Sequence, residues 1–220
     1  MSRTLGGSRR GVVAGAVVGC LAACSGGGDQ ATGPHNPAGV EISEVHQDSA
    51  FHGAELTQPY RMPNVTLTAD NGQPFNLVTD TAYPVTVVFF GYTNCPDECP
   101  LVLSDLASTY LRLPAAVRDK TQVLFITTDP ARDSEVVLRN YLSRYDPAFL
   151  GLTGSLASIK SVAEDMGVAI TGTKRLPSGG YDVGHGVQVI GFHDNEAPVI
   201  WTQGTPVPDM VSDIVTLAGQ

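Results

Sequence analysis

Two cysteines separated by three residues occupy "GYTNCPDECP", residues 91–100, and a proline follows the second directly. An apolar run, "PVTVVFF", precedes them, and "LVLSDLASTYLRL", with apolar residues at helical spacing, comes after. Cys95 and Cys99 therefore belong at a strand-to-helix junction. Thiols placed there have three uses: a structural disulfide, a redox couple or a soft-metal site. Pro100 suits the first helical position, where its missing N–H costs nothing. The helix dipole favours thiolate over thiol and lowers the cysteine pKa, and thiolate is the form that both exchange and metal binding require. Asp97 and Glu98 push the other way, which argues against a very strongly oxidising pair. A bridge across three residues closes so small a loop that it would add little stability.

Two thiolates make a poor tetrahedral zinc site, since structural zinc usually takes four protein ligands. Copper(I) is soft and accepts two thiolates and one nitrogen. Beyond residue 60 the nitrogen donors of that kind are His185 and His193. His193 lies in "FHDNEAP", a polar turn, and reads as a surface residue. His185 lies in "YDVGHGVQV", where flanking glycines leave an imidazole accessible. On these features alone it reads either as a ligand or as an ordinary core or surface histidine.

The other two cysteines have a different setting. "MSRTLGGSRR" carries three arginines and no acid, and "GVVAGAVVGCLAAC" then runs to Cys24 before "SGGG". A basic start, a short apolar run and small residues describe an export signal over residues 1–23. The run of roughly 14 residues falls short of the ~20 that span a bilayer. "LAAC" resembles the bacterial lipobox, which implies lipidation of Cys24 and attachment on the extracytoplasmic face of the cell membrane. Cys20 would leave with the signal, so Cys95 and Cys99 would be the thiols of the mature protein, where disulfides can persist. Three of the 13 Lys and Arg lie within residues 1–23, leaving ten bases against 22 acids and a charge of −12. That balance excludes nucleic acid as a partner and makes a lipid, not charge, the membrane anchor.

Residues 24–59, rich in Gly, Pro, Ser and acids, read as a flexible tether containing His35, His46 and His52 as solvated residues. Residues 60–220 have the size of one domain. "NVTLTADNGQPFNLV" turns at Asp70–Gly72 and predicts an N-terminal hairpin. "VTVVFFG", "QVLFITTDP" and "FLGLTG" read as strands; "DSEVVLRNYLSRY", "SLASIKSVAEDMG" and "PVPDMVSDIVTLAG" read as helices. "YDVGHGVQVIGFHDNEAPVIW" predicts two strands about a turn at Asp194–Asn195. This order predicts an α/β sandwich whose mixed central sheet is flanked by helices.

"FFGYTNCPDECP", "TTDPARDSEVVLRNYL", "FLGLTG" and "YDVGHGVQVIGF" occur in an order and spacing that resemble the Sco/SenC family over roughly residues 60–218. The resemblance implies a thioredoxin-like fold and a copper chaperone serving cytochrome c oxidase. It carries the family's copper ligands onto Cys95, Cys99 and His185. Its Asp-Pro-x-Arg-Asp loop falls on Asp129, Pro130, Arg132 and Asp133, which implies a supporting or partner-recognition role for Asp129, with helix capping as the alternative. Tyr92 reads as an aromatic wall of the site. This chain has "DVG" before the histidine, where the family often has an acid directly adjacent, and Gly186 after it. The implied partners are the copper-receiving oxidase subunit and a copper donor or thiol reductant. The other reading, from a different class, is an extracytoplasmic thiol–disulfide oxidoreductase that cycles Cys95 and Cys99. A peroxidase would need a second catalytic signature, and none is legible.

Overall fold

The computed structural model describes residues 49–177 and 180–220. The export signal, the lipobox at Cys24, and the tether up to residue 48 with His35 and His46 lie outside the described residues. In chain order the strands and helices begin with β1 (Ala54–Arg61), β2 (Thr66–Ala69), β3 (Pro74–Asn76) and β4 (Val85–Gly91). There follow α1 (Glu98–Arg112), α2 (Ala115–Arg118), β5 (Thr121–Thr127), α3 (Glu135–Leu142), β6 (Leu150–Thr153) and α4 (Leu156–Asp165). The chain ends with β7 (Ile170–Arg175), β8 (Tyr181–His185), β9 (Val189–His193), β10 (Glu196–Trp201) and α5 (Val207–Ala218).

Every residue of β4 is buried, because the strand is covered on both faces. Val85, Val87 and Phe89 point to one side, where Val102, Leu103 and Leu106 of α1, Leu138 and Leu142 of α3, and Ile214 and Leu217 of α5 meet them. Val88 and Phe90 point to the other, against Ile159 and Val162 of α4. This two-residue alternation makes β4 the centre of the sandwich. The sheet has eight strands in the order β1-β10-β9-β4-β5-β6-β2-β3. β4 runs parallel to β5 and antiparallel to β9, so the sheet is mixed, as expected. The expected hairpin is β2–β3, turned through Gly72 at φ 82°. Among the described residues no helix is long and apolar enough to cross a membrane.

Three expectations need correction. The tether does not extend to Pro59: β1 is an edge strand paired with β10, and Phe51 is buried ahead of it. The anchor is Asp213 on α5, which is fully buried. Its carboxylate accepts hydrogen bonds from Trp201 Nε1 (2.7 Å), His52 N (2.8 Å), His52 Nδ1 (2.9 Å) and Gly53 N (2.9 Å). His52 is thus a bonded residue, not a solvated tether histidine. Such an edge strand shows no apolar alternation, so nothing local to it announced that it folds.

Second, "YDVGHGVQVIGF" is not one strand. It breaks after His185 into β8 and β9, which belong to different sheets, because β8 pairs with the unforeseen β7 in a separate two-stranded ribbon. The expected turn at Asp194–Asn195 is present, with Asp194 at φ 50°. Third, α1 starts at Glu98, so Pro100 is its third residue. It is tolerated because the first four helical N–H groups have no partner within the helix.

The Asp213 cluster sets a stability prediction. Asp213→Ala strands a buried indole N–H and two backbone N–H groups, and should cost on the order of 3 kcal/mol in denaturant unfolding. The hydrogen bond and charge of Asp213 raise the His52 pKa above 6.5. A pKa raised in the folded state stabilises fully below the unfolded value and is lost as pH climbs through the folded one. The stability difference between wild type and His52→Gln should therefore be largest below about pH 6.5 and shrink as the pH is raised above it.

Candidate metal centre

At the end of β4 the chain reaches Gly91, and the cysteine loop begins. A Cβ at Gly91 would lie 2.8 Å from the Phe125 ring and 3.1 Å from Cys99 Sγ, so only glycine lets Cys99 tuck against the strand end. The loop is then held from below by Asp133, which is fully buried. Its carboxylate accepts from Thr93 N (3.0 Å), Thr93 Oγ1 (2.6 Å) and Thr127 Oγ1 (2.7 Å), tying the loop to the end of β5. Asp97, at the N-cap of α1, makes no side-chain cap. Cys95 Sγ takes that place, accepting from the Cys99 N–H at 3.3 Å.

His185 approaches from the other side, at the point where the chain leaves the β7–β8 ribbon for the central sheet. Its Nδ1 lies 2.8 Å from the Gly186 carbonyl, which can only accept, so Nδ1 carries the proton. Nε2 then presents its lone pair to the cysteines, 3.6 Å from Cys99 Sγ. A metal-ligating histidine is commonly set in this way, with its second nitrogen bonded to a carbonyl. The donor atoms of Cys95, Cys99 and His185 all lie within 4.8 Å of one another. A metal at about 2.0–2.3 Å from each donor separates donors by at most about 4.6 Å, so the set needs little movement to close. Two sulfurs and one imidazole suit a soft cation over calcium or magnesium.

The two thiols are not equivalent. Cys99 is fully buried and Cys95 half-buried. A hydrogen bond from the Cys99 thiol, aided by backbone N–H groups, holds the Cys95 pKa well below the ordinary thiol value. The same bond, with burial, pushes Cys99 up. The expectation that the helix terminus lowers both is corrected here: one proton shared between neighbouring sulfurs stays on the more buried one.

Asp129 is placed next to this centre and not in it. Its carboxylate accepts from Tyr181 Oη at 2.9 Å and pairs with Arg132 Nε. It is 5% exposed, so it offers little to a partner, and the N-cap position of α3 is Ser134, not Asp129. Arg132 in turn stacks on Tyr181, 3.7 Å from the ring centroid, and donates to the Tyr181 carbonyl at 3.2 Å. Asp129 and Arg132 thus grip the start of β8, the strand that carries His185. Tyr92 is the expected aromatic wall, meeting His185 edge-on with centroids 5.7 Å apart. His193 is elsewhere: it pairs with Val85 at the far end of β4, about 20 Å along the strand from Gly91. The roles of Asp133, Tyr181 and Asp182 were not read from sequence; the Asp-Pro-x-Arg-Asp motif signalled the first, while nothing local signalled the others.

A profile of the SCO1/SenC family matches residues 55–218. A putative copper-binding protein of Stutzerimonas stutzeri is 36% identical over 130 residues, covering 59% of this chain and 63% of its own length. The mitochondrial protein SCO2 of Saccharomyces cerevisiae is 36% identical over 145 residues, covering 66% of this chain and 46% of its own. The chain therefore spans less than two thirds of the length of either relative. The solution structure of apo Sco1 from Thermus thermophilus matches with a TM-score of 0.68 at 28% identity, over 80% of this chain and 99% of that one. Yeast Sco1 with copper bound matches with a TM-score of 0.63 at 29% identity, over 74% and 87%. The sandwich described above is thus the expected thioredoxin-like one.

The inequivalence of the thiols is measurable by alkylation. Because the Cys95 pKa is lowered, its thiolate persists as pH falls, and its iodoacetamide rate should stay nearly flat between about pH 8 and pH 6. An ordinary thiol of pKa about 8.5 loses about tenfold per unit over the lower part of that range. Cys99 should remain unlabelled in the folded protein, as read by peptide mass spectrometry.

Proposed function

The chain belongs to the SCO1/SenC family, and on that premise we propose that it is a copper metallochaperone for a cytochrome c oxidase. It carries one copper ion on Cys95, Cys99 and His185 and hands it to the dinuclear copper site of the receiving subunit. The observation that carries this reading is the convergence of two sulfurs and an imidazole Nε2 within 4.8 Å. Copper is cargo here, so the site must release it by ligand exchange. A half-buried Cys95 thiolate and an imidazole at a strand junction are reachable by incoming ligands, while buried Cys99 keeps the ion until last. The acidic balance of the chain favours an oxidase subunit or copper donor with a basic docking surface.

Attachment to the outer face of the cell membrane through a lipid on Cys24 is part of the same proposal. It is supported by "LAAC" after a basic start and a short apolar run. A diacylated cysteine supplies the two chains that stable anchoring requires.

A second reading has its own support. A low-pKa, accessible Cys95 beside a buried, protonated Cys99 is also how an attacking and a resolving thiol are arranged. On this reading the pair reduces disulfides of exported proteins, and His185 is dispensable.

Copper(I) titration against a chromophoric chelator, in reducing and oxygen-free buffer, separates the two. The chaperone reading expects one tightly bound equivalent, abolished in Cys95→Ser/Cys99→Ser and weakened at least tenfold in His185→Ala. Equal affinity with and without His185 would leave the redox reading standing. Cys24→Ser should shift the protein from the membrane to the soluble fraction of expressing cells; unchanged membrane retention would remove the lipid anchor.

A further inference from the structure

The β7–β8 ribbon shares no strand pairing with the central sheet, yet it supplies His185. Gly184 and Gly186 flank that histidine and have no side chains with which to restrain it. Its position must therefore come from contacts made by the ribbon. Arg132 and Asp129 hold Tyr181, four residues before the histidine. Closer to the site, the Tyr92 hydroxyl donates to the Asp182 carboxylate.

Tyr92 is 1% exposed and touches both halves of the metal centre. Its carbonyl accepts from the Cys95 N–H at 3.2 Å. Its ring packs edge-on against the His185 imidazole, with planes at 89°. Its hydroxyl reaches the ribbon at Asp182. One side chain thus joins the loop that bears the sulfurs to the strand that bears the nitrogen. A phenylalanine there would keep the wall and lose the link. The position directly before the histidine has no acid, and a Cβ at Gly184 would come within 2.3 Å of Thr171 Oγ1, so a side chain could enter there only by displacing Thr171. The carboxylate that reaches the cysteine loop comes from Asp182 instead.

We propose that the Tyr92 hydroxyl–Asp182 carboxylate bond is a latch that holds His185 over the two sulfurs, and that its opening releases His185 from the metal while both thiolates remain bound. Tyr92 and Asp182 are positioning residues in this scheme and do not touch the ion. The latch rests on the three-donor copper reading above. It makes release stepwise: the end of the ribbon that carries His185 moves off the cysteine loop, a coordination position opens, and an incoming ligand takes it.

The test is a copper(I) competition titration on the full chain in detergent, arranged as a mutant cycle. A hydrogen bond to a charged group corresponds to roughly a tenfold or larger effect on an equilibrium it controls. Tyr92→Phe and Asp182→Ala should each weaken binding by about tenfold, and combining them should weaken it no further. Added to His185→Ala, Tyr92→Phe should change affinity by less than twofold, because the group it positions is gone. An equal loss with and without His185 would mean that Tyr92 acts on the cysteine loop, and would overturn the latch. So would unchanged affinity in both single variants. If Tyr92→Phe melts below the assay temperature, Asp182→Ala, at a partly exposed position, carries the same comparison. If His185→Ala itself binds copper like wild type, the three-donor reading fails and the latch with it; if His185→Ala is weakened while Tyr92→Phe and Asp182→Ala are not, the latch alone fails.

Discussion

The register between β4 and β9 is the constraint on which the metal centre depends. Phe89 stands opposite Val189, so the C-terminal end of one strand meets the N-terminal start of the other. Cys95 lies six residues beyond the first of these partners, and His185 four residues before the second. Chain segments separated by some 90 residues are thereby delivered to the same end of the two central strands. A slip of one residue would exchange the two faces of β4, bringing Val88 and Phe90 to the side where Val85, Val87 and Phe89 pack, and the distinct layers fitted to each side forbid that. The fold's largest apolar investment and the placement of three polar donors are consequently the same fact.

Once the donors are adjacent, burial differentiates them. Cys99, tucked against Gly91 and Phe125, cannot be charged at the same time as its neighbour without water to screen the pair. The negative charge goes to Cys95, which has the helix N–H of Cys99 pointing at it. A cation arriving between them would remove the reason for keeping the second proton, so metal binding and proton release are coupled. The tautomer of His185 is settled in advance by the Gly186 carbonyl, and no rearrangement of the ring proton precedes ligation.

Three buried carboxylates act as posts for segments that leave regular structure beside the site or ahead of the first strand. Asp133 holds the cysteine loop, Asp129 with Arg132 holds the start of β8, and Asp213 holds the chain ahead of β1. Each accepts at least two hydrogen bonds, which offsets the cost of burying a charge. Loops secured by such posts can carry exposed, reactive groups without being packed over.

Much of this was legible in the residues themselves. Continuous apolar runs marked β4, β5 and β6, helical spacing marked α1 and α3, and Cys95, Cys99 and their strand-to-helix setting limited the chemistry to thiolate. These are local signals, written within a dozen residues, because burial of one face imposes a period on neighbouring positions. What could not be read was everything made by partners far apart in the chain. β1 is an edge strand held by Asp213, about 160 positions away; β8 and β9 form one run in sequence and two sheets in space; Asp182 faces Tyr92 across 90 residues. On local features His185 read either as a ligand or as an ordinary histidine; the family resemblance carried the ligand role onto it, and the meeting of β4 with β9 is what sets it beside the sulfurs. A chain determines locally which segments bury and which residues can react. Which reactive residues meet is decided by strand register and sheet order, because distance in space is set there and not by distance along the chain.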